Sequence, residues 1–150
     1  MKKIELFLDP ILYYMEDSSG FASSCYIDLL KGEVVLPDID EDISDEDAEN
    51  EDRYFYVEPI ASHESYEIMQ DFAASVESDE IRNQMYDALE RKKPFFNFKN
   101  TLADYPDVQK KFFEYKDTRL KEILRDRLAE HGYELEEKTI KKKMNTPLRG

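Results

Sequence analysis

Between Asp38 and Asp52, ten of fifteen residues are acidic and none is basic. Carboxylates at that density repel one another and cannot be buried, so this stretch has to stay in water while the core is built from what flanks it. The two flanks differ in kind. Before it stand two short β-rich runs, Ser24 to Leu29 and Glu33 to Leu36, separated by Leu30, Lys31 and Gly32. That spacing and composition is a hairpin connection. Pro37 closes the second run, and after the acidic stretch Tyr54, Phe55, Tyr56 and Val57 form a third, stopped by Pro59. A small antiparallel sheet of about three strands is expected, from the N-terminal hairpin plus a strand near 53–58, with the acidic residues 38–52 as a mobile loop.

From Ser62 onward the apolar spacing becomes helical. Tyr66, Met69, Phe72, Ala73 and Val76 share one face behind Ser62, and Ile81, Met85, Ala88 and Leu89 share another behind Ser78. A shorter helix opens at Pro94 with Phe95, Phe98 and Leu102. A long last helix near 106–131 opens at Pro106 and stops at Gly132. Proline fits the first helical turn and glycine the end. Near the start, Asp9 and Pro10 mark a short helix carrying Ile11, Leu12 and Met15, while Lys3 to Leu8 has no assigned element. The fold class is therefore α+β, read as a single domain over 1–135, with 136–150 as a basic and flexible C-terminal tail.

Charge is divided along the chain. Residues 1–90 carry 5 basic and 25 acidic side chains, residues 91–150 carry 16 basic and 10 acidic, and the whole chain is at −14. An acidic loop and a basic half could pair within one chain, the loop masking the basic half, or head to tail between copies. Homo-oligomerisation through opposite charged ends is thus an expectation. Cys25 is the only cysteine, and the apolar run at the start is broken by Glu5, Asp9 and Pro10, so neither an internal disulfide nor a signal-peptide core is expected. No stretch approaches the ~18 apolar residues of a membrane span. A cytoplasmic location without membrane attachment follows as the default.

Groups able to do chemistry are few. Cys25 falls in a β-rich run, where a thiol packs as a small hydrophobe. His63 sits in the first turn of a helix and His131 in the last turn of another, where the dipole favours its charged form. Clustered His and Cys ligands are missing from the sequence. Oxygen ligands exist only in the acidic loop, where Asp38, Asp40, Asp42, Ser44, Glu46 and Glu49 match alternate positions of a calcium-loop template. The template fails at its sixth position, Ile43 in place of the glycine of the sharp turn, and at its eighth, Asp45 in place of an apolar residue. A solvated loop is the simpler reading, with Asp38, Asp40, Asp42 and Glu49 as the fallback metal ligands. No cofactor is expected.

Arg91, Lys92, Lys93, Pro94, Phe95, Phe96, Asn97, Phe98 and Lys99 interleave cations with aromatics. Such an arrangement can hold a phosphate backbone and stack bases. The competing reading is core packing, since Phe95, Phe98 and Leu102 share a helical face, which leaves Phe96 as the exposed platform. Arg91, Lys92, Lys93, Phe96 and Lys99 are the interaction candidates. Farther on, Lys110, Lys111, Lys116, Arg119, Lys121, Arg125 and Arg127 alternate with carboxylates, the pattern of an ordinary solvated helix face.

From Arg53 to Glu134 the chain resembles a bacterial uncharacterised protein family that carries only a serial UPF designation. The matching stretches are Ser65 to Phe72 (SYEIMQDF), Met85 to Leu89 (MYDAL), Phe95 to Lys99, Tyr105-Pro106 and Phe113 to Asp117 (FEYKD). In that family a Gly-rich basic turn precedes the Phe-x-x-Phe-Lys stretch, and here Arg91, Lys92, Lys93 and Pro94 occupy it. Phe112 and Arg127 stand where the family's last helix has tryptophans. The resemblance supports the domain and implies no activity or site.

The function expected from these residues is a non-enzymatic interaction module that binds a protein or nucleic acid through its aromatic-basic helical half. The alternative is a hydrolytic or other enzyme using paired carboxylates that the sequence cannot locate.

Overall fold

The computed structural model describes residues 1–16 and 24–139. They form two compact units: one comprises Met1–Pro59 with the chain from Ile123 onward, the other Ile60–Glu122.

The first unit is the mixed one. Strand β1 (Lys2–Leu6) is followed by helix α1 (Leu8–Glu16), strands β2 (Tyr26–Asp28) and β3 (Glu33–Val35), the single turn α2 (Asp45–Ala48) and strand β4 (Tyr54–Tyr56). The hairpin and third strand make an antiparallel sheet in the order β3-β2-β4, with Ile27 opposite Val34 on one side and Phe55 on the other. In the central strand Ile27 is fully buried, and its neighbour Asp28 is buried as well, so the period-2 pattern is broken at the strand's end.

Two terminal segments have an element that sequence reasoning left unassigned. β1 pairs in parallel with β5 (Tyr133–Glu137), Ile4 opposite Leu135. Ile4, Leu6 and Leu135 are buried while their neighbours are exposed, and Lys3 pairs with Glu136 at 3.6 Å. Glu136 and Glu137 thus belong to a strand, and the expected basic tail from residue 140 on lies outside the described residues. Helix α1 begins at Leu8, so Pro10 is its third residue, still within the turn whose N–H groups need no intrahelical acceptor.

The second unit holds α3 (Ser62–Ser75), α4 (Asp79–Glu90), α5 (Pro94–Ala103) and the larger part of α6 (Pro106–Glu130), whose last two turns from Ile123 belong to the first unit. Ser78 caps α4, its hydroxyl accepting from the Ile81 amide at 3.3 Å. Ser62 does not cap α3: the N-cap is Ala61, and Glu64 instead reaches back to accept from the Ala61 amide at 2.9 Å. Phe112 is the hub of the aromatic core, with Phe72 and Phe98 each 5.2 Å away edge to face. Such pairs contribute about 0.5–1.5 kcal/mol beyond the area they bury. Tyr66 closes the α3–α4 pair by donating to the Leu89 carbonyl at 3.0 Å.

Candidate functional site

The turn from Arg91 to Lys93 connects two helices in three residues, which forces an unusual backbone. Lys93 takes φ 56° and ψ 56°, the left-handed region, and is the only non-glycine residue with positive φ among the described residues. Asn97 holds the turn from inside α5, its side-chain amide donating to the Lys92 carbonyl at 2.7 Å while its backbone amide donates to Lys93 at 3.0 Å. The result presents cations around the N-terminus of α5, an end that no side chain caps.

The candidates divide within this turn. Arg91 is committed to Asp87 four residues earlier on α4. Among the described residues no carboxylate pairs with Lys92, Lys93 or Lys99, and all three are exposed. Phe96 is 61% exposed, whereas Phe98 and Leu102 are buried. Phe95, expected on the core face, is itself 36% exposed and flanks Phe96 rather than joining Phe98. Helix α6 of the same unit adds Phe113, 48% exposed, with the Lys116 ammonium 5.0 Å from its ring centre.

In the first unit the acidic segment is more structured than ten carboxylates suggest. Ser44 and Asp47 form a reciprocal capping box around α2, each accepting from the other's amide at 3.1 Å. Ile43 and Ala48 are buried. Asp40 accepts from the Leu36 amide at 2.9 Å, a turn role. Asp38, Asp42 and Glu49 are exposed. No group of three His, Cys, Asp or Glu side chains among the described residues is placed to hold a metal ion.

The charged residue that sequence reasoning missed is Asp28. Among the described residues it is the single polar or charged member of the buried set, 2% exposed, at the end of β2. Its carboxylate accepts from the amides of Leu30 (3.0 Å) and Lys31 (3.2 Å), closing the hairpin turn, and from Arg53 Nε (3.3 Å) and Nη2 (3.0 Å). Burial pushes its pKa up, but the Arg53 and amide hydrogen bonds outweigh burial and hold it below the ordinary value. Asp28 thereby ties the hairpin to the C-terminal end of the acidic segment. Asp-x-Leu-Lys-Gly is a turn signal in sequence, but nothing there identifies Arg53 as its partner.

The other reactive groups are quiet. Cys25 is 1% exposed, and burial pushes its thiol up to about 12. His63 is exposed in the first turn of α3. His131, one residue beyond α6, packs edge to face on Phe55 at 5.5 Å, and its Nε2 lies 3.2 Å from the Glu51 carbonyl.

Fold and sites together define a small α+β protein with a strand-bearing acidic unit and a helical unit whose α4–α5 turn is basic and aromatic. The chain belongs to the uncharacterised protein family UPF0158, whose model matches residues 1–144. It is similar to a curated bacterial relative, the UPF0158 protein PA5073 of Pseudomonas aeruginosa, at 33% identity over 134 residues, which cover 87% of this chain and 86% of that protein. No solved structure matches it significantly. The family has no assigned function. No helix among the described residues is long and apolar enough to cross a membrane.

Proposed function

We propose that the protein is an interaction module, and that the α4–α5 turn with α5 is its binding surface for single-stranded nucleic acid. The observation that carries this reading is a pair of features at one place: Phe96 is 61% exposed, and Lys92, Lys93 and Lys99 around it have no carboxylate partner among the described residues. Exposed aromatics beside unpaired cations stack bases and neutralise phosphates without reading sequence. Lysines at an uncapped helix N-terminus also stand against the positive end of the helix dipole. A phosphate there relieves that repulsion, which gives the site a preference for an anion.

Support for binding rather than catalysis comes from the committed state of the chemically able groups. Asp28 is engaged by four hydrogen-bond donors, and the Cys25 thiol is buried far from its reactive ionisation state. The test is an amide-resolved NMR titration with a short single-stranded oligonucleotide. Shifts concentrated at residues 91–99 are expected. Shifts confined to the first unit, or none at low salt, would defeat the proposal.

A further inference from the structure

Among the described residues of the first unit, two open clefts can be compared. The larger, about 810 Å³, brings carboxylates of the acidic segment together with the cations Lys31 and Arg53. The smaller, about 720 Å³, combines carboxylates with aromatic rings, and its volume falls in the ~300–1,000 Å³ range of small-ligand sites. Its chemistry is set by Tyr26, Tyr56, Glu49, Glu51, Glu58 and Glu130. Short strands put the tyrosines side by side, since Tyr26 on β2 is register partner to Tyr56 on β4 and their ring centres are 5.3 Å apart. Tyr56 is 46% exposed, so part of its ring is open to a ligand.

Arg127 and His131 reach this cleft, and both are bonded to backbone oxygens rather than to its carboxylates. Arg127 Nη1 donates to the Glu58 carbonyl at 2.6 Å, and His131 is held at the Glu51 carbonyl and stacked on Tyr133. Among the described residues none of the four glutamates forms an ion pair. Four unpaired carboxylates would attract any cation. Aromatic faces narrow the choice to one that is planar and weakly hydrated, which is a guanidinium rather than an ammonium. The unit already contains this chemistry: the Arg53 guanidinium lies over the Tyr54 ring, 5.2 Å from its centre, while its nitrogens bond Asp28.

We propose that the smaller cleft binds an arginine side chain from a basic segment of a protein partner, its guanidinium lying against Tyr56 and Tyr26 among the glutamates. Burial first, and then Tyr56 and the carboxylates of Asp45, Glu49 and Asp38, push the Tyr26 hydroxyl above its ordinary pKa. It therefore stays protonated in a negative potential suited to a cation. The site lies in the other unit from the Arg91–Lys99 surface, so either assignment can fail without the other.

The test uses the full chain and calorimetric titration with capped tetra-arginine and tetra-lysine peptides at about 0.15 M salt, where diffuse attraction is largely screened. The arginine peptide should bind several-fold tighter than the lysine peptide. Tyr56→Ala, which leaves net charge unchanged, should weaken it about tenfold, and Tyr56→Phe should keep most of the affinity. The double variant Glu49→Gln/Glu130→Gln, at exposed positions that do not threaten folding, should lose far more than Glu41→Gln/Asp42→Gln in the larger cleft, which removes equal charge. Absent binding, equal affinity for the two peptides, or equal loss in the two double variants would overturn the assignment in favour of diffuse attraction to an acidic chain.

Discussion

Replacing Asp28 by alanine should lower the free energy of unfolding by about 2–3 kcal/mol at neutral pH. The figure is built from the four bonds its carboxylate accepts. Breaking a buried ion pair by removing one partner costs about 3–5 kcal/mol when the other charge is stranded. Here the Arg53 side chain is 37% exposed and rehydrates, so the full penalty does not arise. What remains is two turn amides losing a charged acceptor and a guanidinium losing its fork partner. Asp28→Asn keeps an oxygen for the turn but puts an amide nitrogen, which cannot accept, where Oδ2 takes the Arg53 Nη2 bond, and should cost about 1–2 kcal/mol. Urea denaturation followed by circular dichroism reads both values. The sign with pH is fixed by the lowered pKa: the stabilisation is present above the unfolded-state value near 3.8 and is lost as pH falls through the lower folded-state value. The gap between wild type and Asp28→Ala should therefore be constant from pH 7 to about 5 and close in stronger acid. A variant within about 0.5 kcal/mol of wild type, or a gap insensitive to acid, would refute the reasoning.

Three further outcomes follow from single positions. Gly32 has φ +69°, and a Cβ there would meet the Glu5 carbonyl oxygen of β1 at 3.1 Å, so Gly32→Ala should destabilise by about 1–2 kcal/mol in the same assay. Lys93→Gly relieves a left-handed lysine and should stabilise by about 1 kcal/mol while weakening oligonucleotide binding; affinity rising with stability would contradict a phosphate contact at Lys93. Cys25, buried with its thiol pushed up to about 12, should resist a thiol reagent at pH 7–8 in native buffer and react at once in urea, and fast native labelling would disprove its burial.

Local chemistry was legible in the sequence, and long-range pairing was not. Ser78, Pro94, Pro106 and Gly132 announced helix ends because capping and breaking are decided within a turn, and the hairpin was announced by Lys31-Gly32 for the same reason. β1 and β5 escaped because each offers only one or two buried apolar residues, and their partners are about 130 positions apart. Lys3 facing Glu134 and pairing with Glu136 is the one sequence hint, visible only once the pairing is known. The acidic run hid α2 because ten carboxylates dominate its reading, although Ser44 and Asp47 stand at the capping-box spacing. Deleting 38–52 is consequently a poor test of electrostatic masking: it also removes the buried Ile43 and Ala48 and strips the chain beside Arg53. Neutralising substitutions at exposed Glu41, Asp42 and Glu46 are the cleaner probe. Of the site residues, Phe96 was legible as exposed, whereas Arg91's commitment to Asp87 and the Tyr26–Tyr56 cleft depend on packing.

The central claim is that Lys92, Lys93, Lys99 and Phe96 bind single-stranded nucleic acid, and fluorescence anisotropy of a labelled oligonucleotide across a salt series tests it most directly. Each phosphate contact on a single strand contributes about −0.7 to the slope of log affinity against log salt. Replacing the three lysines by glutamine should make that slope shallower by about 2, and Phe96→Ala should lower affinity about tenfold with the slope unchanged. Slopes and affinities identical to wild type in both variants would contradict the account.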